Sequence, residues 1–332
     1  MTAALATRVL TADAGALAEA ARCLAAGGLV AFPTETVYGL GADATNGTAI
    51  ARLYAAKGRP AFNPLIAHVV DVTAARALAD FDSAAGKLAE AFWPGPLTLV
   101  LRKRADCAVA ELATAGLDSI AVRVPDHAIA RDVLRALGRP IVAPSANRSG
   151  HVSPTTAAHV LADLRGRIDL IIDGGPTAVG LESTIVACLD RPMLLRPGGL
   201  PRGAIERVLG TLLGDAPPGA IDLDAPLAPG MLASHYAPRA RLRLDAVDVR
   251  RGEALLAFGP GLPATAERAT RILNLSPRGD LIEAAANLFS HLRALDAAGA
   301  ATTIAVMPIP HGDLGEAIND RLIRAAAPRS AL

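Results

Sequence analysis

Two cations stand close together in the first fifth of the sequence, and their types and spacing suit an anion. Lys57 and Arg59 flank Gly58 and follow a helix-like run at 48–57. Both side chains can reach one side of the turn, where an ammonium and a guanidinium fork would bind a polyphosphate or a carboxylate. Cations at a helix C-terminus also complement the helix dipole, so the pair alone leaves both a ligand site and a capping role open.

A histidine and an arginine lie inside two apolar segments that are predicted to be strands. His68 belongs to the run 65–70, where it is either a packed core residue or a neutral donor to a ligand at the sheet surface. Arg123 belongs to the segment IAVRVP, on the face opposite the flanking valines. An isolated charge in a strand is costly to bury, so we expect Arg123 to have a partner.

Small polar residues border other predicted strands. The segment APSANRSGHVSP at 143–154 supplies hydroxyl, amide and glycine residues, which let backbone N–H groups approach a phosphate or a ribose, although ordinary turns use the same residues. Glu182-Ser183-Thr184 leads into a strand, and Arg196 ends one before a Pro-Gly-Gly turn. Together with the cations, these residues predict a site that binds anions and positions them.

Several motifs of well-known enzyme classes do not occur in this sequence. It has no GxxxxGK[ST] phosphate loop and no GxGxxG after a strand, which argues against a P-loop NTPase and a dinucleotide enzyme. It also has no HExxH or GxSxG, and its seven histidines show no metal-ligand spacing. The predicted site therefore offers no obvious nucleophile or general base.

The composition is that of a globular protein in a reducing compartment. The 332 residues are 52% hydrophobic and 20% charged, which is enough chain for two domains or one large one. The sequence has three cysteines, Cys23, Cys107 and Cys188, which are far apart and in apolar surroundings. This spacing argues against a disulfide framework or a thiolate metal site. No apolar run approaches the ~18 residues of a membrane span, so we expect a cytoplasmic protein without a membrane partner. A net charge of +1 and 3% aromatic residues do not favour general nucleic-acid binding.

The residues that could do chemistry must be positioned by an α/β framework, because predicted strands alternate with predicted helices. The helices are predicted at 14–26, 48–57, 73–92, 127–137, 156–165, 280–298 and 315–327. The strands are predicted at 29–32, 65–70, 96–101, 120–125, 141–145, 169–175, 183–189, 193–199, 254–259 and 302–310. The consecutive strands at 183–199 indicate a mixed sheet. We predict a first domain at 1–209, a Pro- and Gly-rich linker or lid at 210–237, and a smaller α/β domain at 238–332.

Seven motifs in order carry a resemblance to a known family. They are PTETVYGLGADA, KGRPAFNPLIAHV, WPGPLTLVL, VRVPDH, PSANRSG, ESTIV and LLRPGG. In this order and spacing they closely resemble the YrdC-like threonylcarbamoyl-adenylate synthases. The later segment APGMLASHYAP and the C-terminal α/β unit resemble the long, two-domain form of that family. The resemblance implies a YrdC-like twisted mixed sheet flanked by helices, and a smaller Rossmann-like α/β domain joined to it by a lid-like linker.

The resemblance also implies a reaction and its partners. Members of the family are nucleotidyltransferases that make L-threonylcarbamoyl-AMP from L-threonine, bicarbonate and ATP, releasing pyrophosphate and water. The product serves the tRNA threonylcarbamoyl-transferase machinery, and a transient tRNA contact is an expectation of the same kind. Mg²⁺ is expected to arrive with the triphosphate, with no protein cage for it and no organic cofactor.

Fourteen residues match functional positions of the family. Lys57 and Arg59 are expected to be catalytic through charge neutralisation, and Arg59 also to contact the nucleotide. The threonine-binding positions are Thr36, His68, Arg123 and Ser183. The other nucleotide-binding positions are Asn63, Ser119, Ala143, Ser145, Asn147, Ser153, Arg196 and Tyr236. Arg123 is expected to hold the amino-acid carboxylate, and Tyr236 to reach back from the linker over the nucleotide, which would make that linker a lid.

Two other functions are alternatives to the synthase. A non-catalytic RNA-binding factor could use the same cationic face, although the near-neutral charge and few aromatic residues count against it. A carbamoyl-transfer enzyme is the third hypothesis, because YrdC-like domains also occur in a large hydrogenase-maturation protein. That protein carries zinc-finger-like cysteine clusters and an acylphosphatase-like module, which this sequence lacks.

Overall fold

Two β-sheets organise the chain in the computed structural model, which describes residues 5–215, 236–297 and 301–327. The strands of the first sheet are β1 (Arg8–Thr11), β2 (Val30–Pro33), β3 (Tyr38–Asp43), β4 (Ile66–His68), β5 (Leu97–Arg102), β6 (Ser119–Arg123), β7 (Ile141–Val142), β8 (Leu170–Asp173), β9 (Thr184–Cys188), β10 (Pro192–Arg196) and β11 (Gly214–Asp215). The strands of the second are β12 (Arg241–Arg243), β13 (Ala254–Ala257), β14 (Ile272–Asn274) and β15 (Thr303–Val306).

Helices cover both sheets. Those of the first domain are α1 (Ala14–Ala25), α2 (Gly47–Lys57), α3 (Val72–Arg76), α4 (Ser83–Phe92), α5 (Glu111–Thr114), α6 (Ala128–Leu137), α7 (Ala157–Leu164) and α8 (Arg202–Leu209). Those of the second are α9 (Leu281–Ala297) and α10 (Leu314–Ala326), with a short 3₁₀ turn at Ala266–Arg268.

The first sheet is mixed, as the sequence predicts. Within the described residues its strand order is β1-β8-β2-β3-β7-β4-β6-β5-β9-β10-β11, and both parallel and antiparallel neighbours occur. The predicted pair of consecutive strands is the antiparallel pair β9 and β10. The second sheet is parallel, in the order β12-β15-β13-β14, so the predicted second α/β domain is confirmed.

Local sequence explains where α2 begins and ends. The Asn46 side chain accepts hydrogen bonds from the backbone N–H groups of Thr48 and Ala49, which would otherwise lack partners in the first turn. Gly58 ends the helix in the left-handed conformation, with φ of 60°. The chain therefore turns between Lys57 and Arg59, at the point that the sequence indicates.

Two predicted elements differ from the structure. The predicted helix at 73–92 is interrupted between α3 and α4, because Ala79 and Asp80 instead pair with the chain just after and at the end of β5. Strand β3 was not predicted, since its two glycines weaken the strand signal. Gly41 is needed there because a Cβ atom would lie 2.7 Å from a ring carbon of Phe32.

The two domains share one continuous apolar core at their interface. Val37, Val152 and Leu181 of the first domain pack into the core formed by α9, α10 and the second sheet. The chain at Gly180 lies so close to α9 that a Cβ atom there would be 2.4 Å from the carbonyl oxygen of Ala285. The functional pocket described below lies beside this interface.

The predicted linker falls largely outside the described residues. Residues 214–215 form β11, which pairs in parallel with β10, so this early part of the linker belongs to the first sheet. Residues 216–235, including most of the predicted lid, are not described, and the exact domain boundaries stay a prediction. Among the helices of the described ranges, none combines the length and apolar character that a membrane span needs.

Candidate active site

A pocket on the first sheet is lined by residues that lie in or directly next to β4, β6, β7 and β10. Nine of the fourteen predicted site residues line it: Thr36, Arg59, His68, Arg123, Ala143, Ser145, Ser183, Arg196 and Tyr236. The remaining lining residues are Val37, Ile66, Pro144 and Glu182. Residues from Thr36 to Tyr236 thus meet in one place, and three of them are buried arginines.

Arg123, on the predicted threonine side, contacts three neighbouring groups. It is adjacent to His68, because β4 and β6 run in parallel with these two residues in register. Its Nη2 atom donates to Thr36 Oγ1 at 3.0 Å and pairs with Glu35 Oε1 at 2.6 Å, while Nε donates to the Gly95 carbonyl at 3.3 Å. The expected partner of this charge is therefore Glu35, and the guanidinium is fixed before any ligand binds.

His68 is a neutral residue of the pocket wall. Burial, together with the nearby positive charge of Arg123, lowers the pKa of its imidazole to about 3. The ring atom Nδ1 lies 3.2 Å from the carbonyl oxygen of Ile66. Since a carbonyl only accepts, Nδ1 carries the proton and Nε2 remains as an acceptor. The sequence leaves open whether His68 is a packed core residue or a neutral hydrogen-bonding group at the ligand. Its place in the pocket wall favours the neutral hydrogen-bonding group.

Arg59 is held rigidly at the turn after α2. Its Nε atom donates to the carbonyl of Asn63 at 3.2 Å, and Nη2 donates to Asn63 Oδ1 at 2.6 Å and to the carbonyl of Pro64 at 2.9 Å. None of these three hydrogen bonds uses Nη1, so this atom can donate to a ligand. Burial lowers the pKa of Arg59 to about 10, which still leaves it charged at neutral pH.

Lys57 does not line the pocket but binds the backbone of the loop that carries Ser145, which does. Its Nζ atom donates to the carbonyls of Ser145 at 2.5 Å and Asn147 at 2.6 Å, and the residue is 3% exposed. Burial, and then the charge of Arg59, hold the pKa of this amine well below its usual value. The Asn147 amide donates to the carbonyls of Arg148 and His151, both at 2.8 Å, so the two predicted residues brace one loop.

Arg196 and Ser183 join the ends of two antiparallel strands. Arg196 donates from Nη2 to the carbonyl oxygen of Ser183 at 2.8 Å and to its Oγ at 3.3 Å. Ser183 Oγ also lies 2.7 Å from Thr98 Oγ1. Gly198 permits this approach, since a Cβ atom there would be 2.4 Å from the Glu182 carbonyl oxygen. Burial lowers the pKa of the Arg196 guanidinium.

Five predicted residues do not line the pocket. Lys57 and Asn147 brace the loop described above, and Asn63 accepts from Arg59. The Ser153 hydroxyl donates to Glu182 Oε1. Ser119 starts β6, at the opposite end from Arg123 and in register with Arg102. A direct nucleotide contact by these residues stays a prediction.

Two carboxylates at the site were not predicted. Glu35 lies beside Arg123, and Glu182 lies in the pocket wall and pairs with Arg321 of α10, with 2.9 Å between Arg321 Nε and Glu182 Oε2. Both stand in quoted motifs, PTET and ESTIV, and burying them requires a cation. The sequence could have indicated a paired carboxylate, but it gives no signal that the partner of Glu182 would lie 139 residues away.

Tyr236 is the described residue of the predicted linker motif that reaches the pocket. It is 1% exposed, and its ring stacks on Phe289 with 5.6 Å between centroids and 25° between planes. Burial raises the pKa of its phenol. Tyr236 lines the pocket, and its predicted place over a bound nucleotide stays a prediction. The adjoining residues of the motif, 231–235, are outside the described ranges.

This geometry suits an anionic ligand that has both a carboxylate and phosphates. Three guanidinium groups converge among hydroxyl groups, a neutral histidine and a tyrosine. In the described residues, no group of three or more His, Cys, Asp or Glu side chains could hold a metal ion. The pocket can therefore position and neutralise anions through donors from the chain itself.

Comparison with protein families identifies the group to which the chain belongs. Residues 22–198 match the family model described as telomere recombination, which covers the Sua5, YciO and YrdC proteins. Residues 201–327 match the model of the threonylcarbamoyl-AMP synthase C-terminal domain. The chain belongs to the YrdC-like threonylcarbamoyl-AMP synthase family. The family resemblance stated from the motifs is thereby confirmed.

Relatives of known name agree over nearly the full length. The threonylcarbamoyl-AMP synthase of Bacillus subtilis is 42% identical, over 94% of this chain and 93% of the relative. That of Pyrococcus abyssi is 42% identical over 91% and 92%. The crystal structure of P. abyssi Sua5 complexed with L-threonine has a TM-score of 0.86 and 39% identity, and covers 97% of both chains. The two-domain fold of this family member is thus shared with a solved relative.

Proposed function

We propose that this chain is an L-threonylcarbamoyl-AMP synthase, an enzyme of the nucleotidyltransferase class. It combines L-threonine, bicarbonate and ATP into L-threonylcarbamoyl-AMP, pyrophosphate and water. The observation that carries the proposal is the convergence of Arg59, Arg123 and Arg196 on one pocket. These three cations match the charges of the substrates. One buried arginine would bind the amino-acid carboxylate, and two arginines would lie near the phosphates.

The threonine end of the pocket is the Arg123 side. Arg123 would bind the carboxylate of the amino acid, and the hydroxyls of Thr36 and Ser183 would hydrogen-bond to its polar groups. The neutral His68 lies beside Arg123 and can accept through Nε2 without adding a competing charge. The structure of P. abyssi Sua5 complexed with L-threonine supports L-threonine as the substrate.

The nucleotide end is formed by Arg59, Arg196, Ser145 and Tyr236. The Arg59 Nη1 donor would bind a phosphate oxygen, while the Asn63 contacts keep the guanidinium plane fixed. The backbone at Ala143 would lie beside the adenylate. In this arrangement Lys57 contributes by fixing the loop that carries Ser145.

The reaction needs positioning more than a protein nucleophile. The threonine amine and bicarbonate form a carbamate with loss of water, and a carbamate oxygen then attacks the α-phosphorus of ATP. The new P–O bond forms as the bond to pyrophosphate breaks, and the electron pair leaves with pyrophosphate. Guanidinium groups that are already fixed stabilise the developing charge without having to reorganise. A buried site also protects the mixed anhydride from water.

Magnesium would enter with ATP. Among the described residues, Glu182 is the acidic side chain that lines the pocket, and it pairs with Arg321, while Glu35 beside the pocket pairs with Arg123. The residues present therefore fit a metal carried by the triphosphate rather than one held by the chain. The ion would neutralise phosphate oxygens alongside Arg59. The product would pass to the tRNA threonylcarbamoyl-transferase machinery, with a transient tRNA contact and a cytoplasmic location as part of the same proposal.

Pyrophosphate release tests the function directly. It would be measured with ATP and Mg²⁺, with L-threonine and bicarbonate together and then with each omitted. We expect release to require both, and to fall at least ~10²-fold in Arg59→Ala because one preorganised donor is lost. Arg102→Ala is the matched control, since Arg102 is exposed on the same sheet and pairs with Asp190.

Two other outcomes would contradict the synthase. Release without threonine would indicate a different acceptor or a plain ATPase. Absence of release, with ATP still bound, would favour the RNA-binding factor, which salt-dependent RNA binding would then test. The named relatives are synthases and support the first function rather than that alternative.

A further inference from the structure

A guanidinium from the second domain is completely buried beside the pocket. Arg321 lies on α10 and is 0% exposed, and it is the largest fully buried side chain of the described residues. Its Nε atom donates to Glu182 Oε2 at 2.9 Å, and its Nη1 atom donates to Asp320 Oδ2 at 2.7 Å. Burying such a charge is costly unless its partners are well placed, so this contact requires a particular arrangement of the two domains.

The partner of Arg321 is part of the pocket wall. One Glu182 oxygen accepts from Arg321 and the other accepts from the Ser153 hydroxyl. Burial alone would raise the pKa of Glu182, but the charges of Arg321 and Arg196 outweigh it and hold the pKa below its usual value. Glu182 is therefore a fixed carboxylate that links the second domain to the segment before Ser183.

Arg321 also contacts Tyr236, a lining residue of the pocket. Its guanidinium carbon lies 5.2 Å from the centre of the Tyr236 ring, within the range of a cation–π contact. The same ring stacks on Phe289 of α9. Both contacts come from helices of the second domain, so that domain determines where Tyr236 lies.

A second arginine of the same domain contacts the neighbouring loop. Arg293 on α9 donates from Nη2 to the carbonyl of Val152, and from Nε to the carbonyl of Ser153 at 3.4 Å. It also pairs with Asp163 at 2.9 Å. The loop with Ser153 is thus held from the second domain at two points.

We propose that Arg321 is a positioning residue of the nucleotide side of the site, acting through Glu182 and Tyr236. The second domain then completes the binding site, beyond anchoring the linker. Arg321 itself does not line the pocket, so it would act by fixing the two groups that do. This inference rests on the proposed function, in which Tyr236 and Ser153 belong to the nucleotide side.

ATP binding by the full chain tests the proposal without requiring turnover. Calorimetric titration with Mg-ATP would compare the unmodified protein, Arg321→Met and Arg243→Met. The control Arg243 lies in the same domain and forms comparable ion pairs with Glu253 and Asp248, at 2.6 and 3.0 Å, away from the pocket. We expect the Kd for ATP and the KM for ATP to rise at least ~10-fold in Arg321→Met, about 1.4 kcal/mol, and to stay unchanged in Arg243→Met.

A double variant separates positioning from stability. Arg321→Met leaves Glu182 buried without its cation, which destabilises the fold, whereas Arg321→Met combined with Glu182→Gln removes both charges. We expect the double variant to regain thermal stability while ATP affinity stays low, and it also serves if the single variant fails to fold. Recovery of ATP affinity in parallel with stability, or unchanged affinity in a folded Arg321→Met, would overturn the proposal. ATP binding without pyrophosphate release in the unmodified protein would instead contradict the proposed function.

Discussion

At the scale of single residues, the pocket combines permanent cations with a histidine that stays neutral. Burial lowers the pKa of both Arg59 and Arg196, and Arg59, with a pKa of about 10, keeps its charge at neutral pH. His68 has a pKa of about 3 and is therefore uncharged over the same range. The site can bind anions strongly while one hydrogen-bonding group remains independent of pH.

The lowered pKa of His68 makes the free energy of unfolding decrease as the pH falls. Its pKa is about 3 in the folded chain and near 6.5 when unfolded, so between these values the unfolded state binds more protons. Its contribution to stability is full above pH 6.5 and is lost as pH falls toward 3, by up to ~1.4 kcal/mol per pH unit. Denaturant unfolding from pH 7 to 4 should show a shallower loss in His68→Gln than in the unmodified chain. Equal slopes would contradict the neutral, buried histidine.

The Arg123→Lys variant tests whether binding of the amino-acid carboxylate requires a guanidinium group rather than a single positive charge. Lysine keeps the charge but cannot reproduce the donors to Thr36 and the Gly95 carbonyl. We expect the KM for L-threonine to rise at least ~10-fold while the KM for ATP changes little. Arg102→Lys, an exposed arginine on the neighbouring strand, is the control. An equal rise in both KM values would argue against a specific carboxylate contact.

At the scale of elements, the antiparallel pair β9 and β10 depends on a glycine to bring Arg196 to Ser183. In Gly198→Ala the new Cβ would be 2.4 Å from the Glu182 carbonyl oxygen and 2.5 Å from the Ser183 carbonyl carbon. These are backbone atoms, so the segment must move. We expect kcat/KM to fall on the order of 10²-fold, since small displacements of positioning groups are costly.

The control for that experiment is Gly47→Ala. A Cβ at Gly47 would meet no heavy atom within 4 Å, so activity should be unchanged. Wild-type kcat/KM in Gly198→Ala would mean that the exact position of the 182–184 segment is unimportant.

Elements differ in how readily the sequence reveals them. The bounds of α2 follow from local signals, Asn46 and Gly58, and both signals are realised. Strand β3 could not be predicted because Gly41 is required by packing against Phe32, a contact that forms only when β2 and β3 pair. The pocket residues on β4 and β6 were predicted through their motifs. The Arg321–Glu182 pair was not, because neither periodicity nor spacing connects residues 139 positions apart.

At the scale of the whole molecule, the two domains are packed too closely to be independent units. Gly180 has φ of 75° and lies against the backbone of α9. In Gly180→Ala a Cβ would meet the Ala285 oxygen at 2.4 Å, in addition to the strain of a left-handed alanine. We expect the free energy of unfolding to fall by at least ~2 kcal/mol, with weaker ATP binding.

Gly116→Ala separates the two causes of that loss. Gly116 also has φ of 75°, but a Cβ there would meet nothing within 4 Å. Denaturant unfolding should therefore show a loss of only ~1–2 kcal/mol from backbone strain, with ATP binding intact. Equal losses in the two variants would mean that the domain contact at Gly180 contributes little.

The choice of cations in the pocket has a consequence for the product itself. Threonylcarbamoyl-AMP is a mixed anhydride, and such compounds acylate free amines. The lining cations are arginines, whose protonated guanidinium groups are poor nucleophiles, and the Lys57 amine is buried against two carbonyl oxygens. A site built in this way binds phosphates strongly and yet presents no lysine for its own product to modify.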